Sequence, residues 1–347
     1  MREWRRKACC LTISMIALTL HSPSAKSQEQ AFYAGKTIRI LVGYGAGSSY
    51  DGYARIISRL AGQHIPGNPH IVVENMPGAG SLTALNYMIT VAPQDGTVIA
   101  AIGATLPFGP LLGEPAAKFD PLKLQWLPTP GSDTSCLTLW HTTPVNTVED
   151  ARRTEIILAS NAITGSSSLY GRLQSEVLGM KIRLVYGYTG GVGDALLATE
   201  RGEVNGHPSV SWSVIKRHTD WLRDRKVKLL TYFGGPRNPE IEAYGAVYAD
   251  DLIADGPDRQ LWDLGMAPST LGRPYVMSQQ APPERVETIA RAMMAVFDSP
   301  EGRAAAAEQQ LDLEPLPREA ARQVIEKTYA SPPAVVQRLK NLFGERR

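Results

Sequence analysis

Cysteine is nearly absent. Cys9 and Cys10 lie in an N-terminal apolar segment, and only Cys136 follows them in a chain of 347 residues. A single thiol makes no internal disulfide, so the body of the protein must be held by packing alone. An excess of one charge is also lacking, with 36 Lys and Arg against 34 Asp and Glu. No basic stripe marks a nucleic-acid footprint, so nucleic acid is excluded as a partner. After residue 20 no apolar run approaches the length of a membrane span, which makes the mature chain a soluble one. Nucleotide motifs are missing too. Counted from Gly43, the sixth position of G-x-G-x-x-G is Ser48; counted from Gly45, it is Tyr50. No P-loop lysine and no G-x-S-x-G elbow is present. His64, His70, His141, His207 and His218 lack metal-ligand spacing. These absences give no cofactor, no metal and no recognisable catalytic constellation, so the chain reads as a non-enzyme.

What is present begins with an export signal. MREWRRK is basic, Ala8 to Leu20 is a thirteen-residue apolar run, and Ala25-Lys26-Ser27 fits a small-x-small cleavage site. Residues 1–27 therefore read as a cleaved secretory signal peptide, which marks the mature protein for export. Both cysteines of the segment precede the apolar run, whereas a lipoprotein cysteine would follow it. The leader holds five basic residues (Arg2, Arg5, Arg6, Lys7, Lys26) and one acid (Glu3), so the mature chain keeps 31 basic and 33 acidic residues.

The remaining sequence alternates strand-like and helix-like runs. Lys36 to Tyr44 is β-rich, and the next run carries Ala54, Ile57, Leu60 and Ala61 at helical spacing. IVVEN, a glycine turn, LTALNYMITVA and TVIAAIGA continue a βαβαβ order, which implies a parallel sheet. A proline- and glycine-rich stretch, Leu106 to Gly131, is where the chain would leave this first lobe. A second α/β unit follows, and the tail is largely helical. The expected organisation is two α/β lobes with a cleft between them. Lobe 1 comprises 31–133 and 211–347; lobe 2 comprises 134–210.

In open α/β sheets ligands gather at the carboxyl ends of the strands, and the small polar residues fall at those ends here. The first loop carries Tyr44, Gly45, Ala46, Gly47, Ser48 and Ser49, with Asp51 just beyond. The second offers Asn75, Gly78, Ala79, Gly80 and Ser81, and the third Thr105. In the second unit the candidates are Gly165, Ser166, Ser167, Ser168, Tyr188, Gly190 and Gly191. Glycine backbone, helix N-termini and hydroxyls together form an anion cradle of neutral donors, suited to a carboxylate. Each loop read alone is equally a plain turn with a helix cap. Asp51 is either a helix-stabilising residue or a contact for a ligand ammonium or hydroxyl. His207 is a further residue that could face the cleft, and Cys136, in an apolar strand, reads as core.

Several stretches resemble one family over nearly the whole mature chain. VVENMPGAGS resembles its VVEN-x-PGAGG segment, and APQDGTVIAAIGA its A-P-x-DG-T strand entry. LVYGYTGGVGDALLATERGEVNG and GRPYVMSQQAPPERVETIARAM resemble its later segments in order. The chain is similar to the Bug or TctC-type extracytoplasmic solute receptors of tripartite tricarboxylate transporters. The resemblance implies an α/β, two-lobed type II periplasmic-binding-protein-like fold with a ligand cleft between lobes. It implies a small carboxylate ligand, held by the loops named above, and membrane permease subunits as partners. A capture protein of this kind is expected to be a monomer. Departures fall on those same loops: GAGSSYD in the first, TGSSSLY in the second lobe, and Asn205-Gly206-His207-Pro208 where the family has an Asp. The ligand is therefore open, and citrate is not assumed. A sensor for a membrane kinase and an exported serine hydrolase stand as alternatives.

Overall fold

The computed structural model describes residues 32–160, 165–188 and 192–344; the signal-peptide segment, Gly190 and Gly191 lie outside them. Two sheets form the frame. The first has the order β2-β1-β3-β11-β4. Its strands are β1 (Thr37–Val42), β2 (His70–Asn75), β3 (Val98–Ala101), β4 (Gln125–Trp126) and β11 (Tyr275–Met277). The second runs β10-β9-β5-β8-β6-β7. It contains β5 (Ser135–Trp140), β6 (Ile156–Ala159), β7 (Ile182–Val185), β8 (Gly206–Ser211), β9 (Val227–Phe233) and β10 (Val247–Tyr248).

The strands β1, β2 and β3 are parallel, as the βαβαβ order requires. Neither sheet is parallel throughout. The late strand β11 enters the first sheet antiparallel to β3 and β4, and β5 is antiparallel to both β8 and β9. A strand that arrives from the other lobe, without a crossover helix on the same sheet, is free to run either way.

The division of the chain differs from the expectation in two places. The expected division places residues 211–347 in the first lobe, but β9 and β10 pair within the second sheet. The chain also stays with the first sheet through β4, inside the stretch read as the exit. The cause is visible in β9: VKLLTYF has four fully apolar positions and buries both faces, so it is an interior strand needing partners on each side. The long helix Pro257–Leu271 then spans both bodies. Leu261, Trp262, Leu264 and Met266 pack into the core of the second sheet, while Ala267 and Leu271 pack beneath the first. The last helices divide in the same way. Ala321 and Ile325 join the first body, and Val335, Val336 and Leu339 return to the second.

Short cap signals set the helix starts. Ser48 caps the helix Ser49–Leu60 and accepts from the Asp51 N–H at 3.3 Å. Thr147 and Asp150 form a reciprocal capping box at Val148–Arg153. Cys136 is fully buried in β5, where burial pushes its thiol far up and leaves it a core residue. No helix among the described residues is long and apolar enough to cross a membrane.

Candidate functional site

The first glycine loop is organised by Asp51. Its Oδ2 accepts the Gly47 N–H at 2.9 Å and Arg55 Nε at 2.9 Å, and its Oδ1 accepts Asn75 Nδ2 at 3.0 Å. The same Asn75 amide donates to Tyr44 O at 3.0 Å. Asp51 is only 3% exposed. Burial would raise its carboxyl, but the bonds from Arg55, Gly47 and Asn75 outweigh that and hold it below the ordinary carboxylate value. Asp51, Asn75, Ser48 and the Gly47 amide are thus consumed in shaping the loop. Tyr44 stacks on Tyr50 with ring centroids 4.3 Å apart, which closes the loop from behind.

The second loop is also built inward. Ser81 is fully buried and accepts the Gly103 N–H at 2.7 Å. A Cβ on Gly43 would sit 2.2 Å from that of Ser81, so glycine at 43 is what lets the two loops touch. Gly78, Ala79, Gly80 and Thr105 are exposed, Gly45 and Ala46 likewise. None of them lines the cleft described next, and neither do Tyr44, Asp51, Asn75, Ser81, Gly165 and Tyr188.

Between the lobes lies a cavity of about 640 Å³. Gly47 and Ser49 contribute to its first-lobe wall, with Asp133 from the segment before β5, Ser211 at the end of β8 and Arg273 from the segment before β11. A smaller recess of about 170 Å³ shares Asp133, Val192 and Ser211 with it and runs into the second lobe. Ser166, Ser167, His207 and Ser209 line that recess. Five of the residues singled out from sequence therefore meet here: Gly47, Ser49, Ser166, Ser167 and His207. Ser167 faces Ser160, with their hydroxyls 2.8 Å apart. Ser168 is fully buried, its hydroxyl without a hydrogen-bond partner among the described residues, and it lies outside the lining of both cavities.

A charged side chain of the cleft that is largely withdrawn from solvent was missed in the sequence. Arg273, between the helix Pro257–Leu271 and β11, has a side chain only 14% exposed. Its Nε donates to Ser49 Oγ at 3.0 Å, and its Nη2 lies 3.6 Å from Asp133 Oδ1. Burial alone would lower its pKa, but Asp133 and the Tyr53 and Tyr50 rings' hydroxyls offset this, and the guanidinium stays charged. Asp133 Oδ1 also accepts from Ser211 Oγ at 2.8 Å. One signal was available: in GSD and GRP, charged residues sit beside glycines on the segments that cross between lobes.

His207 is 6% exposed, and burial drives its pKa down to about 4. It is neutral at pH 7, and its Nδ1 accepts the Ser209 N–H at 3.1 Å, which leaves the proton on Nε2. An imidazole of that pKa is a weak general base. The cleft thus offers an arginine, a carboxylate, a neutral imidazole and several hydroxyls. It is equipped to hold a small charged molecule. Among the described residues no group of three or more His, Cys, Asp or Glu side chains is placed to hold a metal ion.

No protein-family model matches the chain. A UPF0065 protein of Bordetella bronchiseptica is 28% identical over 102 residues, 29% of this chain and 29% of that protein's length. Among solved structures, a TctC solute-binding protein from Polaromonas superposes with a TM-score of 0.70 at 19% identity. That match covers 89% of this chain and 98% of the other. The fold is that of the TctC-type solute-binding proteins. MatC from Rhodopseudomonas palustris, solved with bound malate, has a TM-score of 0.59 at 18% identity, covering 89% of this chain and 99% of its own. The likeness to Bug and TctC-type receptors read from VVENMPGAGS and APQDG therefore extends to the architecture: two α/β lobes with the cleft between them.

Proposed function

We propose that this chain is a periplasmic, non-catalytic solute-binding protein that captures a small carboxylate by lobe closure. It would then present the ligand to the permease of a tripartite tricarboxylate-type transporter. The observation that carries the reading is Arg273: a charged guanidinium, largely withdrawn from solvent, on the wall of a cavity of about 640 Å³, with Nε its one hydrogen-bonded nitrogen among the described residues and Nη2 3.6 Å from Asp133 Oδ1. Its terminal nitrogens are donors in the geometry a carboxylate accepts, and charge-assisted bonds in a desolvated cleft are strong. Ser49, Ser166 and Ser167 add hydroxyls from both lobes, which gives a ligand a reason to draw the lobes together. The bound malate of MatC, on the same fold, supports the ligand class. The weak basicity of His207 speaks against the serine-hydrolase alternative.

The test is a thermal-shift screen of the mature protein against mono-, di- and tricarboxylates, amino acids and neutral sugars. A ligand at a hundred times its Kd adds about 2.7 kcal/mol of stability. A carboxylate response that Arg273→Gln abolishes supports the proposal. Responses to neutral sugars alone would overturn the carboxylate assignment.

A further inference from the structure

The wall of the cleft is not that of a plain anion site. Asp133 stands beside Arg273, and its Oδ1 is engaged by Ser211 and by the guanidinium. Its Oδ2 accepts no hydrogen bond among the described residues, and the side chain is 38% exposed, on the lining of both the main cavity and the recess. Glu240, Asp312 and Glu314 line the main cavity as well, against Lys216, Arg217 and Arg273. Four acids against three strong bases give no surplus of positive charge for a ligand with two or three negative charges. A carboxylate bound to Arg273 alone would meet Asp133 at short range, and like charges at such distances repel strongly in a desolvated site.

An ammonium group on the ligand resolves this conflict. We propose that the ligand is a zwitterion of the amino-acid class: Arg273 takes its carboxylate and the free Oδ2 of Asp133 takes its ammonium. The two charges of an α-amino acid are held on one carbon, and Arg273 and Asp133 stand side by side at 3.6 Å. Ser211 fixes the Asp133 carboxylate and Ser49 fixes the guanidinium, so both receptor groups are positioned before the ligand arrives. His207, neutral and buried in the recess, adds no positive charge against an ammonium. Asp133 thereby becomes the residue that separates amino acids from their des-amino counterparts. Discrimination would come from the penalty on an Asp133 carboxylate left without a partner once the lobes close over the ligand. The inference rests on the solute-binding function proposed above and adds the ligand class.

The experiment is titration calorimetry with matched pairs on the mature protein: L-glutamate and glutarate, L-aspartate and succinate, L-phenylalanine and 3-phenylpropionate. At least one amino acid is expected to bind ten-fold or more tighter than its partner. Asp133→Asn should erase that difference, weakening the amino acid while sparing or improving the des-amino acid. The wild-type comparison needs no variant, so it stands even if Asp133→Asn folds poorly. Equal or tighter binding of the des-amino acids overturns the zwitterion assignment and keeps the carboxylate receptor. No binding by any member overturns both.

Discussion

Asn75 Nδ2 lies 3.0 Å from Asp51 Oδ1, and this bond ties the end of β2 to the start of the helix that follows β1. With the Gly47 amide and Arg55 it makes Asp51 the keystone of the first glycine loop. Asp51→Ala strands the Asn75 amide and the Gly47 N–H, and should cost about 2–3 kcal/mol. Urea denaturation measures it. Because the carboxyl is held below its ordinary value of 3.8, its contribution is present above that pH and fades as the pH falls through the lower folded value. Asp51→Asn should therefore lose stability at neutral pH and show less acid sensitivity than the parent. An unchanged midpoint in both variants would mean that the loop holds its shape without this residue.

His207 predicts a slope at a different pH. Its folded pKa is about 4 against an ordinary 6.5, so between those values the unfolded chain binds a proton that the native one refuses. Stability should fall as the pH drops from about 6.5 toward 4, by up to about 3 kcal/mol from this group. Replacing the imidazole, as in His207→Gln, should flatten that part of the profile. Thermal melts across the range decide it, and an equal slope in parent and variant would refute the assignment.

Much of this frame was readable in the sequence, and the failures have physical causes. Alternating β-rich and amphipathic runs gave β1, β2, β3 and their helices, because hydrophobic period and caps are local properties. The lobe boundary failed at 211 because which sheet β9 joins is decided by non-local pairing with β5, and its apolar run fits either core. The glycine loops were found, yet Asp51, Asn75 and Ser81 turned inward, because spacing does not reveal whether a polar side chain serves the loop or the cleft. Arg273 and Asp133 were missed because 140 residues of sequence separate two groups that meet only where the segments leading into β5 and β11 come together.

Those crossings give a third prediction. Gly272 has φ +59°, and a Cβ there would sit 1.8 Å from the Gly131 carbonyl oxygen. Gly35 has φ +72° with nothing within 4 Å. Gly35→Ala should cost about 1 kcal/mol, the conformational penalty alone. Gly272→Ala adds a clash with backbone that has no room to yield, and should cost well over twice as much. Comparing the two melting temperatures separates the terms. Equal losses would mean that the crossing segments shift freely past each other.

Lys216 Nζ and Asp312 Oδ1, 2.9 Å apart, join the lobes across the mouth of the cleft. Lys216 follows Trp212 and Ile215, which pack with the second sheet, and Asp312 lies between Leu311 and Leu313, which pack against the first core. Both side chains are more than a third exposed, so screening limits the pair to about 0–1 kcal/mol. That is too little to register clearly in a denaturation midpoint. At its upper end it changes a two-state opening equilibrium about five-fold, and an affinity that depends on closure changes by the same factor. Lys216→Ala should leave the melting temperature nearly unchanged and weaken ligand binding by about that factor at low ionic strength. In about 1 M salt parent and variant should converge, because the lost pair is already screened in the parent. A loss of affinity that persists at high salt would instead make Lys216 a direct ligand contact, and the cleft mouth would then be part of the binding site.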